Sequence, residues 1–388
     1  MSFTTHQQTP PHSKRGPLPM KLAAFVFLLA TVLAGCQSTA PSTPQPPTPP
    51  APPAIAVKAL EVKAVVVSMF EDGEVTGDDP GEFQLWVERM PLDKTLDFPL
   101  GEHPIYFNDD GVIGICVGGG IANATASIMA LGQDPRLDLR NAYWLIAGIS
   151  GGDPLDVSLG SAVWAEHVVD GDLLYEIDAR EIPEAWPYGM IPLGGSEPAD
   201  SPEDIYTGWT LDTIHFELNT ALARWAYRYT QDMTATEDTP ALAEFRAAFE
   251  GYPNAQRPPF VAVGDTLSAS TYWHGELLNN WANDWLKLYA GSDANFVTSN
   301  MEDSGTLTAL HRLGRVGLVD PERVLVLRTI SNFTMPPPGE TAAWSATADY
   351  PDDGFPALDS AQRVGGKVLH HLIKHWDETR DNIPGGEL

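Results

Sequence analysis

The chain has 388 residues, is 43% hydrophobic and 19% charged, and sets 23 Lys and Arg against 52 Asp and Glu, for a net charge of -29. This is globular composition with a strongly acidic surface, and it excludes most nucleic-acid binders, which need a basic stripe to displace counterions from a phosphate backbone. The length allows either two domains or one large α/β unit with insertions.

Residues 1–35 contain no Asp or Glu, carry Lys14, Arg15 and Lys21, and run apolar from Leu22 to Leu33 before Ala34-Gly35-Cys36. A basic region, an apolar stretch and small residues make an export signal, and the stretch falls short of the roughly 20 residues of a membrane-spanning helix. Leu33-Ala34-Gly35-Cys36 resembles the bacterial lipobox, which implies that Cys36 becomes the lipidated first residue of the mature chain. Met20-Lys21 followed by the apolar run is already a complete signal, so translation is also readable as starting at Met20. Gln37 after the Cys resembles outer-membrane sorting. From Gln37 to Pro53 the chain is Pro, Thr, Ser, Ala and Gln, which cannot bury enough surface to offset its ordering entropy and reads as an extended tether. The expected organisation is a lipoprotein signal over 1–35, a lipidated Cys and tether over 36–59, and one folded domain over 60–388. Cys116 is the other thiol, so no disulfide forms inside that domain, and it reads as a small buried hydrophobe.

Within the domain, Val62–Ser68, Val112–Val117, Tyr143–Ile146, Phe260–Val263, Asn295–Thr298 and Val324–Ile330 are short apolar, largely β-branched runs that read as buried strands. Helical periodicity fills the intervals 122–131, 211–229 and 275–288, and again 357–376. Strands alternating with helices predict a mainly parallel sheet covered on both faces, with ligands at the carboxyl ends of the strands. Residues 172–258 break the rhythm with Pro, Trp and Gly, and read as an insertion that lids or borders the site. No later segment has the apolar length of a membrane helix.

The loops after the strands carry the chemistry. After the first, Met69-Phe70-Glu71-Asp72-Gly73-Glu74 and then Gly77 to Phe83 offer carboxylates that either activate water or bind a polar ligand, or form a solvated acidic loop. After the second, Gly118-Gly119-Gly120-Ile121-Ala122-Asn123 lets a ligand approach bare backbone, or lets a helix cross a strand closely; its spacing is not that of a dinucleotide loop. Gly148-Ile149-Ser150-Gly151-Gly152-Asp153-Pro154 reads as a second small-residue loop, with Asp153 as a turn starter. Ser268 to Gly275 brings hydroxyls, then Tyr272 and Trp273, suited to stacking on an aromatic ligand or to the core, and His274, read as a structural imidazole. Met301-Glu302-Asp303 places a carboxylate directly after a strand, to accept from a diol or to cap a helix. Ser331-Asn332 ends the last strand with an amide that reads a heterocycle edge or makes a turn.

Taken together, Gly118–Asn123, Ala-Gly-Ile-Ser-Gly-Gly, Gly-Asp-Thr-Leu-Ser-Ala-Ser-Thr-Tyr-Trp-His, Asn-Met-Glu-Asp and Thr-Ile-Ser-Asn-Phe resemble the purine nucleoside permease family over about residues 60–380. That family is similar, more distantly, to nucleoside phosphorylases and nucleosidases. The resemblance implies a three-layer αβα sandwich around a twisted, mainly parallel sheet with a lid-like insertion. It implies that Met301-Glu302 grips the ribose hydroxyls, that Asn332 faces purine N7, that Tyr272 or Trp273 stacks on the base, and that Gly148, Ser150 and Gly151 lie beneath the sugar, with Gly119, Gly120 and Asn123 beside it. It implies no cofactor and no metal. Phosphorylases generally place an Arg before the Gly-rich loop, whereas Leu145-Ile146-Ala147 stands here. Water-using nucleosidases draw a carboxylate from the loop after the first strand, which here points to Glu71 and Asp72. Asn332 stands where those enzymes more often carry Asp, and an amide stabilises charge on a leaving base without donating a full proton.

The function expected from these residues is purine nucleoside binding with cleavage of the N-ribosidic bond, hydrolysis favoured over phosphorolysis. The rival is a non-catalytic periplasmic component that hands nucleosides to a separate transporter. Either way the membrane is reached through the lipid anchor alone, no nucleic acid is bound, and self-association is left open.

Overall fold

The computed structural model describes residues 59–199, 201, 205 and 212–385, so the signal, Cys36 and nearly all of the tether lie outside the described residues. In chain order the strands are β1 (Leu60–Glu61), β2 (Ala64–Ser68), β3 (Lys94–Leu96), β4 (Ile105–Phe107), β5 (Val112–Cys116), β6 (Leu137–Asp138), β7 (Tyr143–Gly152), β8 (Ala162–Asp170), β9 (Leu174–Glu176), β10 (Met190–Pro192), β11 (His215–Glu217), β12 (Val261–Ser268), β13 (Phe296–Asn300) and β14 (Val324–Phe333). The helices are α1 (Gln84–Arg89), α2 (Ile121–Gly132), α3 (Thr220–Thr230), α4 (Pro240–Ala247), α5 (Glu276–Ala290), α6 (Asp303–Arg315), α7 (Ala342–Thr347), α8 (Phe355–Lys374) and α9 (Trp376–Thr379).

Every residue of β2 is buried, which is why it reads as a continuous apolar run rather than an alternating one. Its alternate side chains enter two different cores. Val65 and Val67 join Ile128 and Leu131 of α2 and Leu307 and Leu310 of α6. Ala64 and Val66 join Trp86 of α1, Leu222 of α3, and Val364, Val368 and Leu372 of α8. Helices thus cover both faces of the sheet, and the fold class is α/β.

Ten strands make that sheet, in the order β11-β8-β12-β13-β7-β2-β5-β4-β3, with β14 lying against both β7 and β8. The expectation of a mainly parallel sheet is corrected to a mixed one. β2 runs parallel to β5 and β7, β14 parallel to β7, and β12 parallel to β8 and β13. The pairs β11–β8, β13–β7, β14–β8, β3–β4 and β4–β5 are antiparallel. The edge strands β3 and β11, and β4 next to β3, are three residues each, too short for their periodicity to register.

Two further expectations change. The single helix read over 211–229 is strand β11 followed by α3, because Asn219 caps the helix by accepting from Leu222 N; Leu211 itself lies outside the described residues. Nor are residues 172–258 one insertion. β9 and β10 form a separate hairpin, whereas β11 joins the main sheet and α3 buries Leu222, Ala223, Trp225 and Ala226 in the main core.

Candidate active site

The carboxyl ends of β2, β5, β12, β13 and β14 gather the functional side chains. β2 ends at Ser68, and the next amide, Met69 N, donates to Glu82 Oε2 at 2.8 Å. The other Glu82 oxygen accepts from Ile149 N at 2.6 Å. Glu82 is 5% exposed, and burial raises its pKa to about 8, with Arg328 pulling against that shift.

Arg328 is 1% exposed in the apolar run of β14. Its Nη2 donates to Asp303 Oδ1 at 2.5 Å and lies 3.3 Å from Asn300 Oδ1 and 3.4 Å from Glu302 Oε2, while Nη1 donates to Ile149 O at 3.1 Å. A buried charge is tolerable only when paired and hydrogen-bonded, and this guanidinium is both. Burial alone would lower its pKa, but Asp303 and Glu302 raise it, so it stays charged.

Glu302 opens α6 and is 6% exposed. Oε1 accepts from Gly120 N at 3.1 Å and Oε2 from Met301 N at 3.3 Å. Burial raises its pKa, and Arg328 opposes the rise. Gly120 reaches it because Gly118 and Gly120 take φ of 85° and 87°, which turns the chain from β5 into α2 in a way that L side chains rarely follow. A Cβ on Gly118 would also meet Asn123 Cβ at 3.1 Å. Ser270 Oγ, after β12, accepts from Ile121 N at 3.3 Å and ties that loop to the same turn.

Asn332, at the end of β14, is 5% exposed and shares one narrow cleft with Gly151, Tyr272, Trp273 and Met301. Its Nδ2 donates to Phe333 O at 3.2 Å, and its Oδ1 accepts from Ser331 Oγ at 3.1 Å. Met301, the residue before Glu302, lines the same cleft as Asn332. The cleft holds about 10 Å³, the room of one water, so a larger ligand must displace a wall. Tyr272, one of the lining residues, is 58% exposed, with its ring edge-on to His274.

The expected residues divide accordingly. Trp273 turns its ring inward onto Trp281 and Phe296, leaving Tyr272 as the outward ring. His274 hydrogen-bonds Ser345 Oγ at 2.9 Å, and burial lowers its pKa, as suits a structural imidazole. Asn123 is exposed and donates to Gly119 O, and Gly119 has open space around it. Gly148, Ser150 and Gly151 sit in strand β7 rather than in a loop. Ser150 Oγ faces the seam with β14, donating to Thr329 O at 3.4 Å. Glu71 and Asp72 require correction: Glu71 accepts from the amides of Asp72, Gly81, Phe83 and Gln84, holding the start of α1, and Asp72 is exposed. Of the first-loop carboxylates, the one buried near Arg328 and bonded to Ile149 N is Glu82. Its signal in the sequence is the apolar context that follows, Phe83 and Leu85-Trp86, which an exposed acidic loop would not have. Arg328 carries a signal of its own, since a lone Arg inside Val-Leu-Val-Leu-Arg-Thr-Ile is a sign of a buried ion pair, here with Asp303.

The family model described as purine nucleoside permease matches residues 61–384. A purine nucleoside permease of Candida albicans is 29% identical over 325 residues, covering 81% of this chain and 76% of the relative. A probable purine nucleoside permease of Schizosaccharomyces pombe is 31% identical over 265 residues, covering 67% of this chain and 75% of the relative. Among solved structures, futalosine hydrolase of Helicobacter pylori is similar at 15% identity and a TM-score of 0.47, covering 81% of this chain and 99% of that one. A 5'-methylthioadenosine/S-adenosylhomocysteine nucleosidase of S. pneumoniae gives 14% identity and a TM-score of 0.48, covering 80% and 99%.

Proposed function

The chain belongs to the purine nucleoside permease family, and on that premise we propose that its domain binds purine nucleosides and cleaves their N-ribosidic bond, with water favoured over phosphate. The observation that carries this reading is the convergence of two buried carboxylates, Glu82 and Glu302, on the buried guanidinium of Arg328, beside the cleft that holds Asn332. Helices on both faces of the sheet support the three-layer, nucleoside phosphorylase-like arrangement that goes with it.

In this mechanism Glu302 accepts from the ribose hydroxyls chiefly through Oε1, which spends one lone pair on Gly120 N and keeps another, whereas Oε2 already accepts from Met301 N and Arg328 Nη2. As the bond to the base lengthens, the sugar becomes oxocarbenium-like and the base gathers negative charge. Glu302 offsets the first charge. The Asn332 amide, leaving its weak bond to Phe333 O, donates to the second. Glu82 orients a water and takes its proton, and a pKa of about 8 suits a base working near neutrality. Arg328 is committed to Asp303, which leaves no free cation there for phosphate among the described residues and favours water.

The relatives' description as permeases favours a second reading, a non-catalytic nucleoside-binding component that serves a separate transporter. No helix among the described residues is long and apolar enough to cross a membrane. The export signal and Cys36 support a lipid-anchored placement, periplasmic or at the cell surface, for either reading. Incubating the full chain with inosine, guanosine and adenosine, with and without phosphate, separates them. Free base without phosphate is expected; tight binding with no base released leaves the carrier component, and release only with phosphate overturns the preference for water.

A further inference from the structure

At the opposite end of the sheet from Glu302 and Asn332, the acidic surface inverts. Lys63 immediately precedes β2, and Val112 begins β5, so a cleft that takes in both lies at the amino ends of the strands, about 20 Å from Met69 at 3.3 Å per strand residue. This cleft, of about 470 Å³, is lined by Lys63, Arg89, Arg363, Lys367, Lys374 and His370, with Asp110 as the single acidic residue among the described residues that line it. In a chain with 52 Asp and Glu against 23 Lys and Arg, five of those cations around one cleft is a strong reversal of sign.

The cations are arranged rather than scattered. Arg363, Lys367, His370 and Lys374 follow one another at four, three and four residues along α8, so they form one exposed face of that helix. Arg89, in the last turn of α1, and Lys63 face them from the other wall. Some of this charge is already answered: Asp359 pairs with Arg89 at 2.7 Å and with Arg363 at 3.5 Å, and Lys367 lies over the Tyr229 ring at 4.8 Å. Lys63 and Lys374 form no ion pair among the described residues. The cleft also has an open floor. Gly366 lines it from the middle of α8, where glycine is unfavourable by about 0.5–1 kcal/mol relative to alanine, and any side chain there would press on Gln362 Nε2, 3.0 Å from its Cβ position. A helix-interior glycine on the cleft side, rather than only at the core-facing Gly365, keeps room for a ligand between the cations.

We propose that this cleft is a second binding site, separate from the nucleoside cradle, that takes a phosphate-bearing anion between Lys63 and Arg89 on one wall and the cationic face of α8 on the other. Guanidinium and ammonium groups on two walls match the several oxygens of a phosphate or diphosphate, the forked arginines bidentately and the lysines as point charges. The phosphate belongs either to a free anion or to the headgroup of an anionic lipid, and the two sources present the same chemistry to these side chains.

The test titrates the full chain with inorganic pyrophosphate by calorimetry, and in parallel measures its co-sedimentation with phosphatidylglycerol and phosphatidylcholine vesicles. Saturable pyrophosphate binding that weakens about tenfold or more in the K63E/K374E pair identifies a free anion. Binding to phosphatidylglycerol but not phosphatidylcholine, lost in the same variant with no pyrophosphate heat, identifies a headgroup. The neutral pair K63Q/K374Q gives an intermediate loss, and in both pairs an unchanged inosine affinity shows that the fold and the cradle persist. No binding in either arm, binding that survives charge reversal, or displacement by chloride at matched ionic strength as effective as by phosphate, overturns the proposal.

Discussion

Glu82 keeps a proton that an ordinary carboxyl releases, because burial beside Glu302 outweighs the attraction of Arg328 and two backbone amides. Its folded pKa of about 8 stands above the ordinary 4.5, so between those values the native chain binds a proton that the unfolded chain has lost. Stability therefore falls as pH rises through that window. Urea denaturation from about pH 5 to about pH 9 is expected to show that decline, and E82Q to flatten it. If Glu82 also takes the proton of the attacking water, base release rises with pH through about 8 in the native chain, and E82Q lowers turnover by roughly 10²- to 10⁴-fold while binding inosine. Asn332→Ala is expected to lower kcat by about 10²- to 10³-fold with little change in inosine affinity, because its amide is needed chiefly as charge leaves the sugar. A loss of affinity with unchanged kcat would instead make it a ground-state contact. At this scale the sequence made Glu302 and Asn332 visible because the first follows closely on the short strand β13 and the second lies at the end of the long apolar strand β14. It misdirected toward Glu71, since nothing in a string of acids tells which one turns its back on solvent to clamp the amides of Gly81, Phe83 and Gln84.

At the level of elements, β7 carries the lesson. Gly148-Ile149-Ser150-Gly151-Gly152 has the composition of a loop, yet it is strand, paired with β14 as far as Gly152↔Phe333 across a register shift between Ile330 and Asn332. The glycines are there for clearance. A Cβ on Gly148 would stand 2.7 Å from both Arg328 Nη1 and Glu82 Oε1, and one on Gly151 would stand 3.1 Å from Asn332 Nδ2. G148A is therefore expected to cost about 1–3 kcal/mol of stability, read as a lowered denaturation midpoint, and to lower turnover by pushing Glu82 and Arg328 apart. Unchanged stability would mean that the strand yields at this point. The long buried strands and α2, α5 and α8 were legible from apolar runs and helical periodicity. Three-residue strands and the antiparallel returns of β8 and β13 were not, because strand direction is decided by tertiary pairing rather than by local pattern.

Across the whole molecule, the acidic surface and the family likeness were both readable in the sequence, and the matched span of residues 61–384 agrees with the span of resembling motifs. What composition hid is the local reversal of sign at the cleft beside α8, since five cations vanish in a net charge of -29. A neutral nucleoside is not steered by that surface charge, so inosine affinity is expected to change little between low and moderate salt, whereas pyrophosphate binding weakens steeply. The central claim is that a buried carboxylate at the mouth of α6 holds the sugar of a purine nucleoside. Calorimetric titration of inosine into the full chain and into E302A tests it most directly. Saturable binding that weakens roughly 10- to 100-fold in E302A, without a change of fold, is the predicted result; equal affinity in the two proteins would contradict it.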